Sequence, residues 1–183
     1  MKYIIGSDIH GSLYYGLRLI ELLEQEQADK LIILGDLYYH GPRNPFPKEY
    51  NPAKLAESLN QIKNKLIVIK GNCDSEVDEM ISDFGFLPTH TMPFFNYNLI
   101  LTHGHNYEVL NPKLNSGDIL LYGHYHLPVL RTLENDKIIA SPGSVSLPKN
   151  DSKRAYIILS ENAIILKELD NGKIIQKESL CLN

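Results

Sequence analysis

Cysteine is scarce: Cys73 and Cys181 are the two in 183 residues, and neither forms part of a Cys-x-x-Cys pair. That argues against a disulfide framework and a cysteine zinc site, and it fits a reducing compartment. Long hydrophobic runs are missing too. No apolar stretch approaches the roughly 18 residues of a membrane span, and the first strand-like segment, Tyr3 to Gly6, is too short for a signal-peptide core. A cytoplasmic protein without a membrane partner is expected. An excess of positive charge is likewise lacking, the net charge being −4. Nucleic-acid binding rests on clustered Lys and Arg, so no stable nucleic-acid complex is expected, and any phosphate must be drawn in locally, for instance by metals. There is no internal repeat, low-complexity tract or linker. With 43% hydrophobic and 22% charged residues the chain has ordinary globular usage, and its length suits a single domain over residues 1–183.

What is present is a series of short apolar runs, each followed by turn residues: Tyr3 to Gly6, Leu31 to Leu34, Leu66 to Ile69, Leu99 to Leu101 and Ile119 to Tyr122. Runs of this kind predict strands buried on both faces. Helical patterns lie between them. Leu13 to Glu26 sets Leu17, Ile20 and Leu23 at helical spacing behind a Ser12 N-cap, and Pro52 to Ile62 repeats the pattern with Pro52 in the first turn. After Gly71, Asp74 or Ser75 caps a short helix ending near Phe84. From Lys137 the texture becomes strand-rich: Lys137 to Ala140, Ala155 to Leu159, Ala163 to Leu169 and Lys173 to Lys177, with Asp170-Asn171-Gly172 as a hairpin turn between the last two. The expected architecture is α/β, a pair of mixed sheets flanked by helices.

Each of the five early strands ends in metal-binding side chains: Asp8 and His10, then Asp36, then Asn72, then His103 and His105, then His124 and His126. Taken alone, Gly35-Asp36 and Gly71-Asn72 are ordinary turn chemistry, and a single histidine is more often a surface or core residue than a ligand. Asp8-x-His10 and His124-x-His126 say more, because period-two spacing on an extended segment sends both side chains to one face. Ligand sites of parallel sheets lie at strand carboxyl ends, so five such endings point to one place. Carboxylate, imidazole and amide together suit divalent transition ions, manganese first among iron, nickel and zinc, and are too nitrogen-rich for a dedicated calcium or magnesium cage. Seven ligands, Asp8, His10, Asp36, Asn72, His103, His124 and His126, exceed the needs of one ion with an open position and suit two ions sharing a bridging carboxylate.

The series Asp8-Ile9-His10, Gly35-Asp36, Gly71-Asn72-Cys73-Asp74, His103-Gly104-His105 and Gly123-His124-Tyr125-His126 resembles the calcineurin-like metallophosphoesterases over residues 1 to about 145. More narrowly, His40-Gly41-Pro42-Arg43-Asn44, Gly71 through Asp78, and Ser141-Pro142-Gly143-Ser144-Val145-Ser146 resemble a branch of small bacterial phosphodiesterases, almost to the chain's full length. The resemblance implies a four-layer α-β-β-α sandwich, two mixed sheets face to face with helices outside. It also implies Asp8, His10 and His126 on one metal, Asn72, His103 and His124 on the other, and Asp36 bridging. The implied reaction is hydrolysis of small phosphodiesters by metal-activated hydroxide attack on phosphorus, with Asp36, Asn72, His103 and Cys73 as the catalytic set. Homodimers or tetramers are common among such relatives.

One position departs from the wider family, which has a histidine where this sequence has Cys73. A neutral thiol is a poor general acid near pH 7, so esters with acidic leaving groups should be favoured. Several roles stay open on sequence alone. Cys73 faces substrate or is a small buried hydrophobe. Asp74 is a helix cap, a support for a ligand, or both, while His105 contacts substrate or orients a ligand. His40 and Arg43 either hold the non-transferred phosphate oxygens or belong to a surface loop. The five phenylalanines, all between residues 46 and 95, serve the core or a subunit interface. Phosphomonoester hydrolysis is the rival activity, and a non-catalytic protein-interaction module is the rival class, disfavoured because every family ligand position is filled.

Overall fold

In the computed structural model, which describes residues 1–180, the early apolar runs become parallel strands. β1 (Lys2–Gly6) pairs with β2 (Lys30–Ile33), β2 with β3 (Leu66–Ile69), and β3 with the two-residue β4 (Phe86–Leu87). Parallel strands need crossovers. These carry α1 (Leu13–Gln25), α2 (Pro52–Asn60) and α3 (Glu76–Met80). Ser12 Oγ caps α1 by accepting the Tyr15 N–H at 3.3 Å, and Asn51 caps α2 by accepting from Lys54 at 3.1 Å. The buried face of α1 runs through Tyr15, Leu19, Leu22 and Leu23, which leaves Leu17 on the solvent side, contrary to its expected place. α3 stops at Met80, short of Phe84, and its N-cap is Ser75.

The second sheet has strands β5 (Thr89–Phe94), β6 (Tyr97–Thr102), β7 (Asp118–Leu121), β8 (Pro128–Leu133) and β9 (Lys137–Pro142), in the order β5-β6-β7-β9-β8. Strands β10 (Ala155–Ser160), β11 (Ala163–Glu168) and β12 (Ile174–Ser179) return to the first sheet, where β10 pairs antiparallel with β1 to give β12-β11-β10-β1-β2-β3-β4. The hairpin between β11 and β12 closes through Gly172, whose N–H meets the Glu168 carbonyl at 2.9 Å from the left-handed φ of 72° that glycine tolerates. β4, β5 and β8 have no counterpart among the expected strands. All three are edge strands, short or broken by proline and polar residues, as exposed edges require.

Period-two alternation sorts the core. Tyr3 and Ile5 face inward between the sheets with Phe94, Leu99, Leu101, Ile119, Leu121 and Ile157. Ile4 faces outward, and with Leu31, Ile33 and Ile158 it packs under Leu19, Leu23, Leu55 and Leu59 of α1 and α2. Each fully buried Leu or Ile contributes about 1.5–3 kcal/mol. Two mixed sheets face to face with helices outside are therefore present. The outer face of the five-stranded sheet is covered by Val109 and Leu114 of the β6–β7 loop, over Leu120, Tyr122 and Ile139, with no helix there among the described residues. No helix among the described residues is long and apolar enough to cross a membrane. Cys181 lies outside the described residues.

Candidate metal centre

The loops that follow β1, β2, β3, β6 and β7 converge at the carboxyl ends of these strands, and their backbones are laced together. Asp8 N–H donates to Gly35 O at 3.0 Å, His10 N–H to Asp36 O at 2.9 Å, and Gly123 N–H to His103 O at 3.0 Å. Five of the seven expected ligands have left-handed backbones: Asp8 at φ 54°, His10 at 52°, Asp36 at 54°, His124 at 68° and His126 at 60°. Such conformations cost about 1–3 kcal/mol each in non-glycine residues and persist where the surroundings enforce them. The expectation that Asp8-x-His10 and His124-x-His126 lie on extended chain is thus corrected. Each pair converges through two left-handed turns, not through strand alternation.

Asp8, His10 and His126 form the first group. Asp8 Oδ1 stands 3.2 Å from His126 Nε2 and 3.7 Å from His10 Nε2, and the two Nε2 atoms are 3.2 Å apart. Both Nδ1 atoms face carbonyls, His10 toward Tyr39 O at 2.7 Å and His126 toward Leu147 O at 2.6 Å. An Nδ1–H spent on a carbonyl leaves Nε2 as a lone pair, so two lone pairs and a carboxylate oxygen point at one another. Asp8 Oδ2 is satisfied by Ser7 Oγ at 2.6 Å and the His124 N–H at 3.1 Å, whereas Asp8 Oδ1 is buried and accepts no hydrogen bond. A cation between these three atoms resolves that arrangement, so the residues fit a metal ion.

The second group is arranged likewise. His103 Nδ1 faces Leu34 O at 2.7 Å, which turns Nε2 toward Asn72 Oδ1 at 3.1 Å and Asp36 Oδ1 at 3.4 Å, with the His124 ring centred 5.2 Å from that of His103. Asp36 touches both groups: its Oδ2 is 3.8 Å from His10 Nε2. Cys73 sits near this junction, close enough to count with His10 and Asp36 as a third possible donor set, and its N–H donates to Asp36 Oδ1 at 2.8 Å.

Protonation follows from burial and charge. Burial would raise Asp36, but the His103 hydrogen bond and its charge hold the carboxyl well below the usual range. Asp8 is likewise held down against burial by His126 and His103. Burial lowers His10 and His124, keeping them neutral as ligation requires. His103 goes the other way: burial opposes its charge, yet Asp36 and Asp8 raise it to about 9, so the protein alone calls for positive charge at this spot. Burial, and then the charge of Asp36, pushes the Cys73 thiol up to about 12.

Supports surround the candidate ligands. Asp74, buried, accepts the N–H groups of Asp36 at 2.8 Å, Leu37 at 2.7 Å and Gly71 at 2.7 Å, tying the β2 loop to the β3 loop. Its side chain is therefore a clamp, and capping falls to Ser75. Ser144 Oγ and Ser146 Oγ both donate to Asp8 O, at 2.7 and 3.0 Å. The glycines before Asp36 and Asn72 do more than turn the chain. A Cβ on Gly71 would run into Asp36, and one on Gly35 would lie 2.6 Å from His103 Nδ1. Ser7, Ser144 and Ser146 carry no ligand chemistry of their own; the Ser141 to Ser146 motif was the available signal for the last two.

A cavity of about 360 Å³ opens over the ligands, lined by His10, Asp36, Asn72, Cys73, His124 and His126 together with Gly41, Pro42, Arg43, Asn44 and Lys149. Arg43 thus lies at the site. Lys149 joins it without any local motif, since it lies 23 residues beyond the last ligand. His40 is not in the lining; its ring packs 4.5 Å from Phe46, 5.0 Å from Tyr39 and 5.3 Å from Tyr50. His105 is not in the lining either; its ring is centred 5.3 Å from that of His103 and 6.1 Å from that of His124.

A two-sheet scaffold presenting buried carboxylates and imidazoles below a cation-lined cavity defines a metal-centred hydrolase of anionic substrates. The calcineurin-like phosphoesterase superfamily domain matches residues 1–163, and the chain belongs to that superfamily; it is a metal-dependent phosphoesterase. It is 42% identical over 182 residues, 98% of each chain, to phosphodiesterase YfcE of Escherichia coli K12. The solved structure of Yfce, a phosphoesterase from E. coli, superposes with a TM-score of 0.94 at 42% identity, covering 99% of this chain and 100% of that one. Vacuolar protein sorting 29 from Cryptosporidium parvum shares the fold alone, at TM-score 0.64 and 18% identity, covering 99% of this chain and 98% of that one.

Proposed function

We propose that the chain hydrolyses phosphodiester bonds of small substrates at two divalent transition-metal ions, manganese foremost. The observation that carries this reading is Asp36, whose two carboxylate oxygens turn toward different imidazoles, Oδ2 to His10 and Oδ1 to His103. Asp8, His10 and His126 would hold one ion, Asn72, His103 and His124 the other, with Asp36 shared. When bound, such ions supply Lewis acidity, offsetting charge on phosphoryl oxygens and bringing the pKa of water toward ~7.

The chain's own residues do the rest. Arg43 and Lys149 line the cavity, where they draw in the phosphate and fix its non-bridging oxygens, the Arg fork suiting two of them at once. Buried Nδ1–H contacts hold the imidazoles of His10, His103 and His126 in one tautomer and orientation. Asn72 is fixed at both ends, Oδ1 toward His103 and Nδ2 donating to Cys73 Sγ at 3.3 Å. Cys73, neutral at pH 7, gives a departing alkoxide little help, which favours diesters with acidic leaving groups. The similarity to YfcE, a phosphodiesterase, supports the diester over the monoester.

The test is turnover of bis(4-nitrophenyl) phosphate against 4-nitrophenyl phosphate, with manganese, iron, nickel or zinc supplied in turn. Faster diester hydrolysis, with manganese best, is expected; equal or greater monoester turnover would overturn the reading. The protein is further proposed to be a cytoplasmic homo-oligomer, dimer or tetramer, which light scattering checks against the chain mass of 20.8 kDa.

A further inference from the structure

A second groove, of about 260 Å³, opens beside the metal cavity, and the two share one residue, Cys73. It is lined by Tyr39, Tyr50, Pro52 and Val77, together with Tyr38, which is itself buried. Two polar residues complete the lining, and they satisfy each other: the Asp78 carboxylate accepts the Ser75 N–H at 2.7 Å and Ser75 Oγ at 3.0 Å. Tyr38 Oη is paired with Ser82 Oγ at 2.9 Å. The groove therefore offers a ligand mainly aromatic and aliphatic side chains. No Lys or Arg lines it, whereas Arg43 and Lys149 both line the metal cavity. Cys73 marks a boundary with cationic groups on one side and aromatic walls on the other.

We propose that this groove receives one organic substituent of the phosphodiester and selects a flat, uncharged aromatic ring there. The proposal deepens the diesterase reading and rests on it. A diester anchored by phosphate in the metal cavity carries two substituents away from phosphorus, and one passing Cys73 enters the tyrosine-walled groove directly. A planar ring can meet tyrosine faces offset or edge-on, the arrangements aromatic pairs favour. A substituent bearing further phosphates would find no cation in the groove and would face the carboxylate of Asp78, so charged extensions are selected against.

Phenylphosphonate and methylphosphonate share an anionic head and differ only in the substituent, so calorimetric titration of each into the metal-replete full chain reads the groove without turnover. Phenylphosphonate should bind on the order of tenfold more tightly. Val77 is 65% exposed on α3, so Val77→Trp can fill the groove from its open side. The phenyl preference should then shrink to within about twofold while methylphosphonate affinity stays put. Equal affinities in the wild type, or a preference that survives Val77→Trp, would overturn the proposal. If Val77→Trp fails to fold or loses methylphosphonate as well, Tyr39→Ala decides: a preference cut by half or more supports the groove, and an unchanged one rejects it. A protein without diester turnover that still prefers phenylphosphonate rejects the diesterase reading and supports the groove as a ring site. Diester turnover without any preference does the reverse.

Discussion

Cys73 is half-buried at the junction of two cavities, its thiol held neutral by burial and by the nearby Asp36 charge. Replacing it by histidine introduces a donor with an ordinary pKa near 6.5, and general acid catalysis of that kind is typically worth about 10²-fold to 10⁴-fold when the leaving group is strongly basic. Cys73→His is expected to raise turnover of a nucleotide-like diester with a poor leaving group and to change an activated aryl diester little. Paired rate measurements on the two substrates check this, and a uniform loss on both would mean that imidazole merely disrupts packing around Asn72. The candidate ligands could be named from the sequence because residues of metal-binding type recur after every early strand. Their left-handed backbones were not legible, since nothing in Asp8 or His124 as a residue type demands φ near 60°; that conformation is imposed by hydrogen bonds from distant segments. Lys149 was hidden for the same reason.

Among the elements, the loops after β2 and β3 depend on one side chain. Asp74 accepts three buried N–H groups, and leaving a buried donor unpaired costs about 1–3 kcal/mol. Asp74→Ala should therefore destabilise the fold by about 3 kcal/mol or more and weaken metal binding about 10–100-fold, the range seen when supports of metal ligands are removed. Denaturant unfolding and metal titration measure both. Stability within about 0.5 kcal/mol of the wild type would show that water replaces the carboxylate. Interior strands β1, β2, β3, β6 and β7 were readable because burial on both faces leaves uninterrupted apolar runs. β5, with Thr89, His90 and Pro93, and β8, with Arg131 and Thr132, were not, because edge strands meet solvent and carry polar residues. The Asp74 clamp was legible only as one of two open roles, because in sequence it sits where a helix cap belongs, next to the residue that does the capping.

On the scale of the whole molecule, β1 lies between β2 and β10, so residues 2–6 and 155–160 share one sheet and the early and late parts of the sequence are tied into one structure. We propose that all 183 residues unfold as one domain. A group that binds the native state alone stabilises it by about 2.7 kcal/mol at a hundredfold excess over its dissociation constant, which for a chain of this length is roughly 5–10 °C in Tm. Stripping metal with a chelator should lower Tm by about that much while keeping a single calorimetric transition. An unchanged Tm would mean that the seven side chains hold no ion in the native protein, and two transitions would divide the chain. The larger sheet supplies Asp8, His10, Asp36 and Asn72, and the smaller supplies His103, His124 and His126. A metal centre held by these seven residues would work as a rivet through two plates, aligned only while both plates stay in register. A sub-ångström slip of one sheet over the other, produced by trimming Ile5 or Leu101 deep in the shared interior, would misalign the rivet holes. Catalysis then becomes the most sensitive gauge of how the two plates are bolted together, failing well before the fold does.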